Sequence, residues 1–230
     1  MPTQQTNHHY DRKSREHLSS TRMAADEGLL APAFSTTLAL PATIPAGKVA
    51  VLNDAGDAWL LVEDFRGEVF DTVNGVKSIH TELGALPEGL THLPPGELES
   101  WDGSAWAFDS AKAIAAHTAA LERAYHTAIA AITSAYPASE RETWSIQEAE
   151  ARAWTADNSV ATPFISALAT ARGLTVADLA PSIIIKADAF KALSAELIGK
   201  RKKLLDALAQ LDPASKTIEA DIAAITFNQV

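Results

Sequence analysis

Short apolar runs with polar neighbours occupy the front half of the chain. Five runs rich in β-branched and aromatic residues follow one another at residues 33–40, 48–53, 58–64, 68–73 and 76–83. Runs of this length and composition are typical of β-strands, and Pro41, Pro45 and Gly67 interrupt the series. The pattern therefore predicts a small antiparallel β-meander.

The pair Asn74-Gly75 is the strongest turn signal in this region. A two-residue type I′ turn needs positive φ at both central positions, and an Asn-Gly pair tolerates it. We therefore predict a tight hairpin with Val73 and Val76 on its two sides.

A second turn signal, Asp102-Gly103, lies near the end of the β-prone region. It predicts that Trp101 and Trp106 meet across or near a strand pair. The stretch 86–95 before it contains three prolines, which cannot donate hydrogen bonds to a sheet, so this stretch predicts a loop.

Helical spacing replaces the β pattern after Ser110. Apolar residues then recur at intervals of three, four and seven, which predicts a helix of about 25 residues. Its apolar face contains Ile114, Leu121, Tyr125, Ala128 and Ile132. Four start signals predict further helices, and they lie at Ser139 with Glu142, Thr162-Pro163, Thr175 with Asp178, and Asp212-Pro213.

A seven-residue apolar repeat marks the segment 182–211. Its members are Ile183, Phe190, Leu197, Leu204 and Leu211. A repeat of this kind suits either a helical hairpin within one chain or self-association of two chains. The sequence leaves both readings open.

Charge divides the chain at the same place as the helical pattern. The net charge is −10, and residues 1–110 carry 7 basic and 16 acidic residues, whereas residues 111–230 carry 12 and 13. An acidic surface repels phosphate backbones and anionic lipid, so no nucleic-acid partner is expected. No stretch approaches the about 20 apolar residues that are needed to span a bilayer, so no membrane insertion is expected.

These patterns together predict an α+β fold in three parts. Residues 1–30 form a polar N-terminal arm that is ordered only where it meets a partner. Residues 31–110 form a small antiparallel β-rich domain, and residues 111–230 form an α-helical domain with long amphipathic helices.

Residues suited to catalysis or metal binding are sparse. The chain contains no cysteine, no phosphate-binding glycine loop, no nucleophile elbow, no HExxH helix and no EF-hand pattern. The carboxylates Glu97 and Glu99 could share a strand face, but an acidic edge in water explains them equally well. We therefore expect a protein that is not an enzyme and needs neither metal nor cofactor.

One block of motifs resembles a known family. The run from Trp59 to Thr72, followed by Asn74-Gly75, resembles the W-x-x-V-E-D-x-R-G…Y-D-T-x-x-G signature of phage tail-fibre assembly proteins. Phe70 departs from that signature, because Tyr is usual there. Four more segments resemble family elements in the same order, namely Tyr10-Asp11, the stretch 30–37, the stretch 82–87 and the stretch 101–109.

The resemblance implies a chaperone-like adaptor. Such a protein binds the C-terminal, distal tip of a trimeric tail fibre, promotes its folding in the host cytoplasm, and in some systems stays on the fibre tip of the virion. Tryptophan and arginine are common interface anchors. The candidate partner-binding residues are Trp59, Asp64, Arg66, Trp101 and Trp106.

Two other classes of protein remain alternatives. A receptor-binding fibre-tip protein would contact host surface glycans itself, with exposed tryptophans stacking on sugars. A purely structural virion subunit would neither assist fibre folding nor bind host glycans. An enzyme is the most distant reading of this sequence.

Overall fold

The computed structural model describes residues 4–24 and 31–227. The chain divides after Phe108 into two compact units, here called the β unit and the helical unit. The predicted α+β class, with a strand-rich first half and a helical second half, is confirmed. That each unit folds independently stays a prediction.

The β unit consists of short antiparallel pairings rather than one continuous meander. Its strands are β1 (Gln4–Tyr10), β2 (His17–Ala24), β3 (Ser35–Thr36), β4 (Lys48–Leu52), β5 (Trp59–Glu63), β6 (Gly67–Asp71), β7 (Lys77–His80), β8 (Leu90–Thr91), β9 (Glu99–Trp101) and β10 (Trp106–Phe108). They form sheets in the orders β2-β1-β3, β4-β5, β7-β6-β8 and β10-β9. The hairpins β4–β5 and β6–β7 match the predicted runs, but β5 does not pair with β6.

Strands occur in the predicted N-terminal arm, which corrects that part of the sequence analysis. β1 pairs with both β2 and β3, and the side chains of His8 and Ser20 are hydrogen-bonded at 2.7 Å. β2 is exposed along almost its whole length. Its sequence therefore lacks the alternation of apolar and polar residues that predicts a strand. Backbone pairing, rather than burial of apolar side chains, forms this hairpin. Residues 1–3 and 25–30, including Leu30 of the family-like segment, lie outside the described residues.

The predicted hairpin at Asn74-Gly75 is present, but its turn is wider than predicted. The amide of Asp71 donates to the carbonyl of Val76 at 3.0 Å, which leaves a four-residue loop between them. Gly75 has a φ of +71°, whereas Asn74 does not have the positive φ of a type I′ turn. The Asp71 carboxylate accepts hydrogen bonds from two loop amides at 2.8 and 3.0 Å, and these bonds stabilise the wider loop.

The proline-rich stretch 86–95 contains a strand that the sequence analysis missed. Leu90 and Thr91 form β8 and pair with Asp71 and Phe70 of β6. The prolines of this stretch lie outside β8, so they do not interrupt its pairing. The buried apolar residues of the β unit are few, and Ala50, Leu52 and Val69 are at most 3% exposed.

Six helices make up the described part of the helical unit. They are α1 (Ser110–Thr133), α2 (Ala138–Arg141), α3 (Trp144–Ala156), α4 (Pro163–Ala171), α5 (Val176–Ala209) and α6 (Ile218–Ala224). α5 packs against α1, α3 and α4, and α6 packs against α1. The buried cluster between α3, α4 and α5 centres on Ala151, Ile165 and Leu179.

Helix starts follow the local signals in some places and not in others. Asp109 caps α1, and Thr175 with Asp178 forms the predicted capping box of α5. The capping box predicted at Ser139 is wrong, because Ser139 is the second residue of the short helix α2. Pro163 begins α4 as predicted, but the side-chain cap comes from Glu150 of α3, which accepts from the amide of Ile165 at 2.9 Å.

The seven-residue repeat of α5 packs largely inside the helical unit. Leu197 is buried, and the rings of Phe190 and Trp144 of α3 lie 5.0 Å apart. This packing matches the helical-hairpin reading of the repeat, while self-association is a separate question. Within the described ranges no single helix is long and apolar enough to cross a membrane; α4 and α5, bent by 108° to one another, pass that test only as a pair.

Candidate functional site

The hairpin β9–β10 holds two tryptophans side by side. The Asp102 carboxylate accepts hydrogen bonds from the amides of Ser104 and Ala105, both at 2.8 Å, and these backbone bonds, that of Ala105 first, lower the pKa of Asp102. The turn places Trp101 directly opposite Trp106, and their ring centroids lie 5.4 Å apart. The predicted meeting of the two rings is thus confirmed.

Trp106 also connects this hairpin to its neighbours in the β unit. Its indole N–H donates to the carbonyl of Leu93 at 2.7 Å. A Cβ placed on Gly75 would lie 3.0 Å from Cγ of Pro95 and 3.9 Å from the Trp106 ring. The β6–β7 loop, the stretch after β8 and the tryptophan pair therefore pack directly on one another.

The β6–β7 loop and the stretch after β8 also contain exposed aliphatic side chains. Val73 is 89% exposed, Val76 61% and Leu93 51%. We call these three residues the loop surface. Single exposed aliphatics are ordinary on a protein, but large apolar patches are typical of interaction surfaces, so the exposed aliphatics on these two supported segments are candidates for one.

The loop surface is where sequence reasoning missed functional candidates. It favoured Trp101 and Trp106, yet both rings are half-buried and the indole N–H of Trp106 already has a partner. Val73 and Val76 flank the Asn-Gly pair, and the sequence pattern places them at the ends of two predicted strands. The only available signal was that two β-branched residues stand beside a glycine turn.

Trp59 belongs to a different part of the β unit. Its indole N–H donates to the carbonyl of Leu38 at 3.0 Å, and its ring lies edge-on to His8 and His17 at 6.5 and 5.8 Å. Burial, followed by the neighbouring charge of His17, lowers the pKa of His8. In the described ranges no ring contact joins Trp59 to the other two candidate tryptophans.

Asp64 and Arg66 are engaged with each other and with Glu16. The Arg66 guanidinium donates to both oxygens of Asp64 at 2.7 Å and to both oxygens of Glu16 at 2.8 and 2.9 Å. Hydrogen bonding to Arg66 lowers the pKa of Asp64 to about 2, and the same bonds raise the pKa of Arg66. These bonds connect the β5–β6 connection to the N-terminal hairpin. They use four of the five guanidinium N–H groups of Arg66.

The described residues contain no group of three or more His, Asp or Glu side chains arranged to hold a metal ion. The largest pKa changes in the β unit belong to Asp64 and Arg66, and both arise from a structural ion pair. The five candidate residues thus separate into three places: a tryptophan pair, an isolated tryptophan and an ion-pair network.

Sequence comparison identifies the relatives of this chain. The prophage tail fiber assembly protein homolog TfaR of Escherichia coli (strain K12) is 49% identical over 81 residues, which are 34% of this chain and 42% of TfaR. The tail fiber assembly protein of Escherichia phage lambda is 49% identical over 81 residues, 41% of its own length. The resemblance to phage tail-fibre assembly proteins is confirmed.

A third, more distant relative has the same kind of name. The tail fiber assembly protein of Enterobacteria phage T4 is 28% identical over 102 residues, which are 44% of this chain and 55% of that protein. The chain thus spans about two fifths to about half of the length of these relatives. No family profile and no solved structure matches it.

Proposed function

We propose that this protein assists the assembly of phage tail fibres by binding the distal, C-terminal tip of a trimeric fibre and promoting its folding. The observation that carries the proposal is the 49% identity over 81 residues with two proteins named for tail-fibre assembly. Because the match spans only about two fifths of those proteins, the activity and partner of the whole chain are inferred rather than transferred.

The loop surface is the contact that we assign to the fibre. Val73, Val76 and Leu93 present apolar area to solvent from a backbone that Pro95 and Trp106 support. Burying exposed apolar side chains against a partner is favourable by about 25 cal/mol per Å². A supported loop also loses little conformational entropy on binding, so it suits an assembly factor that must recognise one surface.

The proposed role is not enzymatic and requires no cofactor. Asp64, a carboxylate of the family-like block, is held ionised by Arg66 with a pKa of about 2, which suits an ion pair and not a proton donor near neutral pH. The acidity of the front half makes nucleic acid an unfavourable partner. We place this action in the host cytoplasm during assembly, without membrane insertion, and retention at the virion fibre tip is compatible with it.

The decisive experiment is co-expression with a tail-fibre protein encoded in the same genome. The proposal expects the fibre to be soluble and trimeric only when this chain is present. A Val73→Asp, Val76→Asp double variant should capture the fibre tip at least about tenfold less well, as for a buried interface anchor. Both positions are exposed, so the melting temperature should change little.

Leu18→Asp is the matched control, because Leu18 is 63% exposed on β2 and lies outside the loop surface. It should capture the fibre as well as the unchanged chain. Equal capture by all variants would move the fibre contact away from the loop surface. A fibre that folds without this chain would refute the assembly role itself.

The two alternative functions predict different results. A receptor-binding tip protein would bind host surface glycans without any fibre, and a structural virion subunit would be found in virions without affecting fibre solubility. The indole N–H groups of Trp59 and Trp106 both bond to this chain's own carbonyls, which does not favour the glycan reading.

A further inference from the structure

The helical unit contains a large groove that the fibre-assembly role does not use. Its volume is about 1100 Å³, and it lies between the end of α1, the helices α2, α3 and α4, and one face of α5. Aromatic rings from the α1–α2 connection, α3, α4 and α5 line it. Tyr136 and Phe190 each lie edge-on to Trp144, at 5.2 and 5.0 Å. All three rings are half-buried, so part of each is open to the groove.

The groove is long enough for a helix. Its residues on α5 run from Leu179 to Leu193, which is about 21 Å at a rise of about 1.5 Å per residue. Ala187, between Ile183 and Phe190, also lines the groove, and its side chain is smaller than that of either neighbour. The volume lies just above the range of about 300–1000 Å³ that is usual for small-molecule pockets, so the length of the groove is what favours a peptide segment.

The charges at the rim select the kind of helix. Within the described residues neither Lys186 nor Arg172 makes an ion pair, and Nζ of Lys186 lies 5.8 Å from the centroid of the Tyr136 ring. Lys191 and Glu148 also line the groove and are paired with each other. Glu140 is the remaining acidic residue of the lining. The rim is therefore slightly positive in a chain whose net charge is −10.

We propose that this groove binds an amphipathic helix of another polypeptide, with apolar side chains facing α5 and acidic residues facing Lys186 and Arg172. Helices commonly dock in this way, with anchors at i, i+3 or i+4, and i+7. This groove lies wholly in the helical unit. The helix that it binds is distinct from the part of the fibre that we assign to the loop surface.

The test uses the full chain and two synthetic helical peptides of about 16 residues, roughly four turns. Both peptides have the same leucine anchors on an alanine-rich background, and they differ only in having Glu or Lys beside the anchors. Fluorescence anisotropy of a fluorescein label measures binding. The Glu peptide should bind about three- to tenfold more tightly than the Lys peptide, as expected for two partly exposed ion pairs.

Variants locate the binding. Ala187→Leu enlarges a side chain of the groove lining and should weaken the Glu peptide about tenfold. Ala195→Leu is the matched control on the same helix, because Ala195 is exposed and outside the groove lining, and it should change nothing. If Ala187→Leu lowers the melting temperature, Lys186→Glu decides alone: it should weaken the Glu peptide and strengthen the Lys peptide.

Three results would overturn the proposal. The first is equal affinity for the two peptides, and the second is Glu-peptide binding that Ala187→Leu and Lys186→Glu leave unchanged. The third is sedimentation velocity showing that a second copy of this chain occupies the groove, with the dimer lost in Ala187→Leu.

Discussion

Gly75 offers the sharpest test of how the β unit is packed, because the chain contains a matched control. Gly75 and Gly47 have nearly the same backbone conformation, with φ of +71° and +75°. A Cβ on Gly47 would meet no atom within 4 Å, whereas a Cβ on Gly75 would lie 3.0 Å from Cγ of Pro95. Alanine at the two positions therefore adds the same backbone strain but a steric contact at only one.

The expected magnitudes follow from that difference. A non-glycine residue in the left-handed region costs about 1–2 kcal/mol, and this cost applies to both variants. The proline ring at Pro95 cannot rotate away, so the loop or the ring must shift, which adds about 1 kcal/mol or more at Gly75. For a unit of about 100 residues, each kcal/mol lowers the melting temperature by about 4–8 °C. Gly75→Val should cost more than Gly75→Ala, because a β-branched residue tolerates positive φ poorly.

The assay is thermal unfolding of the full chain, followed by tryptophan fluorescence and circular dichroism. Gly75→Ala should melt at least about 4 °C below Gly47→Ala, the equivalent of about 1 kcal/mol. Equal shifts in the two variants would show that the loop does not press on Pro95, and the support proposed for the loop surface would then be wrong. An unchanged melting temperature in both variants would contradict the cost that we attribute to the positive φ at these two positions.

Two further predictions concern the ion-pair network and the domain division. Arg66→Met should destabilise the β unit by about 1 kcal/mol near neutral pH, after allowance for solvent screening, whereas Lys77→Met, which breaks a more exposed pair with Glu68, should cost almost nothing in the same urea titrations. The pKa of Asp64 is lowered to about 2, so the stability that this carboxylate contributes is present above its ordinary pKa and is lost as pH falls toward 2. Thermal unfolding at about pH 7 and pH 3 should show this loss of stability in the unchanged chain and not in Arg66→Met. The same pH dependence in both proteins would contradict this prediction. Fragments 1–108 and 109–230, expressed separately, should each unfold cooperatively, and aggregation or a lack of any transition in both would end the two-domain reading.

Features that depend on a few neighbouring residues were predictable from the sequence. The capping box of Thr175 and Asp178, the positive φ of Gly75 and the meeting of Trp101 with Trp106 are all decided within about six residues of chain. The resemblance to phage tail-fibre assembly proteins was also predictable, because the order of the motifs along the chain carries information that no single motif has.

Features that depend on distant partners were not predictable. The Glu150 side chain of α3 caps the start of α4, a role that the sequence assigns to Thr162. Arg66 looked like an interface anchor, but Glu16, fifty positions earlier, and Asp64 occupy its guanidinium. Asp64 is a near neighbour in the sequence, but nothing around Arg66 indicates that Glu16 will also bind it.

The N-terminal hairpin has a consequence for synthesis on the ribosome. β1 and β2 emerge before the other strands of the β unit, but an isolated two-stranded hairpin is at best marginally stable in water. Its stabilising partners come later, since the carbonyl of Arg15 accepts from the amide of Leu52 and Glu16 binds Arg66, fifty residues downstream. From Ala24, the end of β2, to Arg66 is 42 residues, so at a translation rate of about 5–20 residues per second the hairpin waits about 2–8 seconds for both contacts. During that interval its exposed strand edges are open to any protein that binds nascent chains.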